Sequence, residues 1–358
     1  MSSAISIQNV TKRFGATVAV RGLDLEVPQG SLCGFLGPNG AGKSTTIRMI
    51  MSIIYPDEGR ISVLGGTALE AKDRIGYLPE ERGIYRKMRV GDFLAYMVKL
   101  KGGPVAAASR RELPRLVESW LERVELPGVA RRKCGELSKG MQQKVQFIAA
   151  LIHEPELLIL DEPFSGLDPV NAEVMRRLVD DLHAQGRTII FSTHALPQAE
   201  RLCDRIFLID RGVKLLDATL DEIRRTYEPR TVVVDPLDPP HAAERGDAAD
   251  VSAASLSARL AALPSVTDVR LLHDGRRELL LDESADPHAV MRAALDAAPC
   301  RGVSIGRVSL EEVFVRLVRQ GEGTAGAERA RAAFAGGSPA NSSSGAGAAS
   351  FVGASSDA

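Results

Sequence analysis

From Ser6 to about Leu220, apolar runs alternate with amphipathic helical stretches, the runs falling at Leu32 to Leu36, Leu157 to Leu160, Thr188 to Ser192 and Ile206 to Ile209. Runs this short and this uniformly apolar suit strands buried on both faces. Their alternation with helices predicts an α/β domain with parallel strands at its centre. The opening of the chain differs, because Ile5, Ile7, Val18, Val20, Leu23, Leu25 and Val27 sit at alternating positions. That is the period of strands with one solvated face, so half-exposed strands are expected beside the core and a mixed sheet at one edge.

A second rhythm follows between Thr226 and Val318. Strands are expected at Arg230 to Val234, Val266 to Leu272, Glu278 to Leu281 and near Val303 to Val308, with helices at Leu256 to Leu263 and His288 to Ala297. Strand, helix, strand, strand, helix, strand is the ferredoxin-like order, and a last helix, Leu310 to Val318, is expected to close that unit. The stretch around Pro236 to Asp250, rich in Pro, Ala, Asp and Glu, reads as a mobile loop. In residues 321 to 358, Gly, Ala and Ser supply 27 of 38 positions; such a tail buries too little apolar surface to offset its ordering entropy and is expected to be disordered. The expected units are residues 1–220 (with a helical subdomain at about 81–153), 221–319 and the tail 320–358. The sequence contains no internal repeat.

Composition removes several classes of function. At 358 residues, 44% hydrophobic and 25% charged, the chain has ordinary globular composition and length for about two domains. A net charge of -1 gives no global attraction to nucleic acid, and 4% aromatic residues leave little for base-stacking surfaces. Cys33, Cys134, Cys203 and Cys300 lack the paired spacing of zinc or redox motifs and read as reduced thiols of a cytosolic protein. No stretch approaches the roughly 18 apolar residues of a membrane span, and Met1 to Val10 has no signal-peptide pattern. Any membrane role is therefore expected to come through a partner.

Gly37-Pro38-Asn39-Gly40-Ala41-Gly42-Lys43-Ser44 satisfies the phosphate-loop pattern G-x-x-x-x-G-K-[S/T] between an apolar run and a helical stretch that begins at Thr45. Glycines let the backbone wrap an anion so that successive N–H groups and the helix N-terminus face the phosphates. Lys43 would neutralise β- and γ-phosphates, and the Ser44 hydroxyl would ligate Mg²⁺. Downstream, Leu157 to Leu160 is an apolar strand that ends in Asp161-Glu162-Pro163. Beside a phosphate loop the two carboxylates divide the labour: Asp161 can hold Mg²⁺ through its water shell, and Glu162 can take a proton from the attacking water.

Leu137-Ser138-Lys139-Gly140-Met141-Gln142-Gln143, upstream of the carboxylate strand, resembles the signature motif of ATP-binding cassette (ABC) ATPases. Further motifs follow in family order, with Ser165-Gly166-Leu167-Asp168 similar to the D-loop and His194 similar to the switch histidine; the resemblance spans about residues 5 to 215. It implies an α/β P-loop NTPase core with edge antiparallel strands and a helical subdomain. It also implies a head-to-tail dimer in which each ATP lies between one subunit's P-loop and the other's Ser138, Gly140 and Asp168. His194 would then contact the γ-phosphate, and Phe14 would stack on adenine. Two departures stand out. The usual signature has Gly and Gln where Lys139 and Met141 stand, and Glu80 occupies the Q-loop position, where the family has glutamine and where a carboxylate would still ligate Mg²⁺.

Glu80 to Gly102 resembles the helical subdomain of ABC-2 type export ATPases, and Ser309-Leu310-Glu311-Glu312-Val313-Phe314 resembles the end of the extra domain on that branch. The resemblance implies the ATPase subunit of an exporter, working as a homodimer or paired with another ATPase subunit. A separate transmembrane permease would hold it at the cytoplasmic face of the membrane, with no nucleic acid involved. The alternative is a soluble ABC ATPase acting on ribosomes or DNA. Proteins of that kind typically carry two cassettes or a long coiled coil, and this chain has one cassette and no sustained heptads. A P-loop kinase or small GTPase would leave Ser138, Gly140 and His194 unexplained.

Overall fold

The computed structural model describes residues 2–81, 83–102, 104–107, 111–227, 230–237, 256–272, 274–282, 284–306 and 308–319. The tail expected at 320–358 and residues 238–250 of the expected loop lie outside them. The chain opens with β1 (Ser3–Phe14), β2 (Thr17–Pro28), β3 (Leu32–Leu36), helix α1 (Lys43–Ile50) and β4 (Glu58–Val63). Strands β2, β1 and β4, in that order, form an antiparallel sheet. Its alternating residues Ile5, Ile7, Val20, Leu23, Leu25 and Val27 are buried, as their period-2 spacing requires.

The central sheet contains β3, β5 (Ile75–Leu78), β6 (Leu157–Asp161), β7 (Thr188–Thr193), β8 (Arg205–Asp210) and β9 (Val213–Thr219). Its order is β5-β6-β7-β3-β8-β9, parallel throughout except for β9, which runs antiparallel at the edge. Between β5 and β6 come α2 (Val90–Lys101), α3 (Glu112–Arg123) and α4 (Lys139–Leu151); α5 (Pro169–Ala184), α6 (Leu196–Leu202) and α7 (Leu220–Tyr227) follow later strands. Successive residues of one strand serve different cores. Leu32, Leu36, Leu158, Leu160 and Phe191 pack with the helical side, whereas Cys33, Phe35, Leu157, Ile159 and Ile190 pack with α1 and the antiparallel sheet. A strand covered on both faces has no polar side, which explains the unbroken apolar runs.

The second unit contains β10 (Thr231–Pro236), α8 (256–261), β11 (Val266–Leu271), β12 (Arg277–Leu281), α9 (Pro287–Ala297) and β13 (Cys300–Ile305). Its antiparallel order β11-β12-β10-β13 is the ferredoxin-like arrangement. Val232, Val234, Leu260, Leu279, Val290 and Ala294 form its small core.

Two expectations fail here. Strand β13 ends at Ile305 rather than Val308, because Val308 packs against the other unit's core. The last helix, α10 (310–319), does not close the second unit. Its Leu310, Val313, Phe314 and Val318 belong to the same apolar cluster as Leu196, Ala199, Leu202 and Ile223 of α6 and α7. Helices α8 and α9 already cover the apolar residues of β10 and β12, so the apolar stripe of α10 is buried against the larger core instead. All four cysteines are unpaired, and only Cys300 is not fully buried.

Candidate active site

Strand register gathers most of the candidate residues at one edge of the central sheet. Leu36 pairs with Thr193, and Asp161 pairs with Ser192. Gly37, Glu162 and His194 therefore leave the sheet together at its carboxyl ends, where open α/β sheets bind ligands. Strand β5 runs beside β6 with Leu78 opposite Leu160, which carries Glu80 to the same edge.

The loop from Gly37 to Gly42 turns directly into α1. Gly42 has φ +105° at the helix start, a left-handed conformation that favours glycine. A Cβ there would lie 2.7 Å from the Ala19 carbonyl oxygen, and one on Gly37 would lie 2.1 Å from that of Ile209. Only glycine lets the loop pass this close to its neighbours. Pro38 and Ala41 are buried, whereas Asn39 and Gly40 are exposed at the rim, and Thr45 follows in the first turn of α1. The Lys43 ammonium donates to the carbonyls of Gly37 (2.7 Å) and Pro38 (3.2 Å) across the loop. Burial pulls its pKa down, and the charges of Glu162, Asp161 and Glu80 oppose that.

The two carboxylates sit in different surroundings. Burial raises the pKa of Asp161 and the charge of Glu162 adds to that, while hydrogen bonds from Ser192 and Ser44 and the Lys43 charge work the other way. Glu162 adopts φ +48°, the left-handed region, which an L-residue occupies at a cost. Its Oε1 accepts from His194 N (2.9 Å) and pairs with His194 Nδ1 (2.7 Å), and its Oε2 accepts from Thr193 Oγ1 (3.2 Å). Three contacts hold this carboxylate in one orientation. Ser192 and Thr193 were absent from the sequence candidates, although the polar run Ser192-Thr193-His194 that ends an apolar strand is a signal that could have found them.

Ser44 lies beside Asp161, a hydroxyl and a carboxylate of the kind Mg²⁺ takes when substrate phosphates and water complete its shell. Among the described residues no group of three or more His, Cys, Asp or Glu side chains is arranged to hold a metal. The oxygen pair thus fits Mg²⁺ carried in with a nucleotide better than a dedicated metal cage. Phe14 ends β1 with 52% of its surface exposed and the Lys12 ammonium 5.5 Å from its ring centroid. The β1–β2 hairpin flanks the loop, since Ala19 and Val20 lie against Gly42.

Ser138, Gly140 and Asp168 form a second group at the starts of two helices. Ser138 caps α4, its Oγ accepting from Met141 N at 3.3 Å, and Asp168 caps α5, accepting from Asn171 N at 3.0 Å. Gly140 faces Leu167 and Asn171. Gln143, buried on α4, donates to the carbonyl of Pro163 at 3.2 Å, so the helix carrying this group is tied to the loop that follows Glu162.

A family model described as ABC transporter matches residues 20–165. An uncharacterized ABC transporter ATP-binding protein of Bacillus subtilis, YhaQ, is 45% identical over 231 residues, covering 64% of this chain and 76% of that relative. Nod factor export ATP-binding protein I of Burkholderia lata is 38% identical, over 60% of this chain and 70% of the relative. Among solved structures, an ATP-binding subunit of an ABC transporter aligns with TM-score 0.57 and 29% identity, over 63% of this chain and 93% of its own. A dimeric bacterial ABC transporter cassette aligns with TM-score 0.56 and 25% identity, over 60% and 98% respectively. The chain belongs to the ABC transporter family as an ATP-hydrolysing, ATP-binding subunit.

Proposed function

We propose that this subunit pairs head to tail with a second cassette around two ATP molecules and drives a separate membrane permease in the export direction. The observation that carries this reading is the pair of capped helix starts. The N-terminus of α4, with Ser138 and the backbone at Gly140, would accept an anion apart from the loop of Gly37 to Ser44, and Asp168, the cap of α5, stands beside it. A second copy's γ-phosphate is the anion this helix start would meet. Gly37 to Thr45 would bind the phosphates, Phe14 the adenine, and Ser44, Asp161 and Glu80 the Mg²⁺, which when bound offsets phosphate charge. Glu162 would accept the proton of the attacking water, and His194 would orient Glu162 and contact the γ-phosphate.

The permease assignment draws on the surface of the expected helical subdomain, about residues 81–153. Tyr85 and Tyr96 are exposed there in an edge-to-face cluster with buried Phe93, and such amphipathic aromatics suit a partner helix. Among the described residues no helix is long and apolar enough to cross a membrane. We assign the cassette to the expected residues 1–220 together with α7 and α10, which pack on its core, and an accessory unit to β10 through β13 within the expected 221–319, the export direction being drawn from the Nod factor export relatives. Pull-down of the tagged protein from native membranes in mild detergent, followed by mass spectrometry, tests the assignment. A stoichiometric polytopic membrane protein is the expected result; ribosomal or DNA-associated proteins in its place would overturn the transport role.

Glu80→Gln removes one negative charge from the edge that also holds Asp161 and Glu162. In the assembled complex, the Mg²⁺ concentration for half-maximal ATP turnover is expected to shift by at least about threefold. An unchanged Mg²⁺ titration would make Glu80 a surface charge outside the site.

A further inference from the structure

Glu200 lies on α6, the helix that begins directly after His194 and Ala195. Its half-buried carboxylate accepts the backbone N–H of Leu310, the first residue of α10. Ser309 and Glu312 close part of that helix start locally. Glu312 N donates to Ser309 Oγ at 3.2 Å, and Ser309 N donates to Glu312 Oε2 at 2.9 Å, a reciprocal capping box. The first-turn donor at Leu310 is outside that box, and a carboxylate from the other unit satisfies it. Further along α10, the Arg316 guanidinium lies 5.7 Å from the ring centroid of Tyr227, at the end of α7. Phe314 and Val313 are buried in one cluster with Leu196, Ala199 and Leu202 of α6. Helix α6 is short and has no side-chain cap at its own start, so its orientation depends on what packs against it.

We propose that Glu200 is a positioning residue for the Glu162–His194 pair: it fixes α6 to α10, the helix by which the ferredoxin-like unit is joined to the larger core, so that this attachment sets the geometry of hydrolysis. The contacts run from the Leu310 N–H to Glu200 on α6, the helix that follows His194, and from His194 to the Glu162 carboxylate; α10 itself follows the ferredoxin-like sheet in the chain. A movement of the second unit would reach the reacting groups through a hydrogen bond and one packed helix. The accessory unit then acts as an input to ATP turnover through Glu200 and α10, which stand apart from the loop of Gly37 to Ser44 in the chain. This inference rests on the reading of Glu162 and His194 as the hydrolytic pair.

The test uses the full chain with three variants. Glu200→Ala removes the acceptor. Glu200→Gln keeps an amide oxygen that can still accept. Leu310→Pro removes the donor while leaving an apolar ring at a helix position that favours proline, and the extended backbone usual for a capping residue is compatible with a following proline. Glu200→Ala and Leu310→Pro are each expected to lower kcat by about tenfold with KM for ATP within about twofold. The double variant should be no slower than either single one, and Glu200→Gln should turn over like wild type. Wild-type turnover by Glu200→Ala, multiplying effects in the double variant, or a kcat loss that vanishes when rates are normalised to folded protein would each overturn the proposal. His194→Ala separates the two claims: if it too turns over normally, the hydrolytic reading fails, whereas a dead His194→Ala beside a normal Glu200→Ala removes only the coupling.

Discussion

Glu162→Gln is expected to bind ATP as wild type does and to hydrolyse it about 10² to 10⁴ times more slowly, the contribution of a positioned general base. The substitution preserves shape and most contacts. A glutamine oxygen can still accept from the His194 backbone, where Oε1 now accepts at 2.9 Å, and the amide nitrogen can meet Thr193 Oγ1, now 3.2 Å from Oε2. What is lost is the capacity to take a proton. Because binding survives while turnover stops, the variant should accumulate a dimer closed on ATP, visible by size-exclusion chromatography with nucleotide present. Phosphate release at the wild-type rate would remove Glu162 from the base role, whatever the binding data showed.

The second large effect concerns stability. Phe314→Ala empties a fully buried ring position in the core that α10 shares with α6 and α7. Phe-to-Ala changes of this kind cost about 3–5 kcal/mol, enough to lower the melting temperature by roughly 10 °C in a domain of this size. Leu271→Ala, at a side chain 66% exposed on β11, should stay within about 0.5 kcal/mol of wild type. Scanning calorimetry with and without ATP identifies which unit is weakened, since ligand binding raises only the transition of the unit that binds it. The Phe314→Ala loss should fall on the ATP-sensitive transition. If it falls on an ATP-insensitive one, α10 stabilises the ferredoxin-like unit and the packing described above is wrong.

These two variants mark different depths of legibility. Glu162 can be found by reading along the chain, because an apolar strand that ends in two carboxylates downstream of a phosphate loop is a local pattern with a chemical reason. Phe314 can be recognised as a core residue, since Leu310, Val313, Phe314 and Val318 recur at helical spacing. Its partner is another matter, and the expectation that α10 closes the second unit fails for that reason. Periodicity says that a face will be buried and is silent about which surface buries it. The early end of β13 has the same cause, an apolar Val308 that serves the other core.

The same division runs through the site. By itself the sequence determined the chemistry on offer: the glycines and Lys43 of the phosphate loop, the hydroxyl of Ser44, the carboxylates of Asp161 and Glu162, and the strand-helix alternation that holds them, all carried by contiguous residues whose spacing encodes local backbone geometry. Only the tertiary structure decided that Ser192 and Thr193 hold the two carboxylates, that His194 pairs with Glu162, and that Glu200 reaches Leu310. Those contacts depend on strand order and helix docking. They are fixed by the burial of surfaces far apart in the chain, and no local pattern records them.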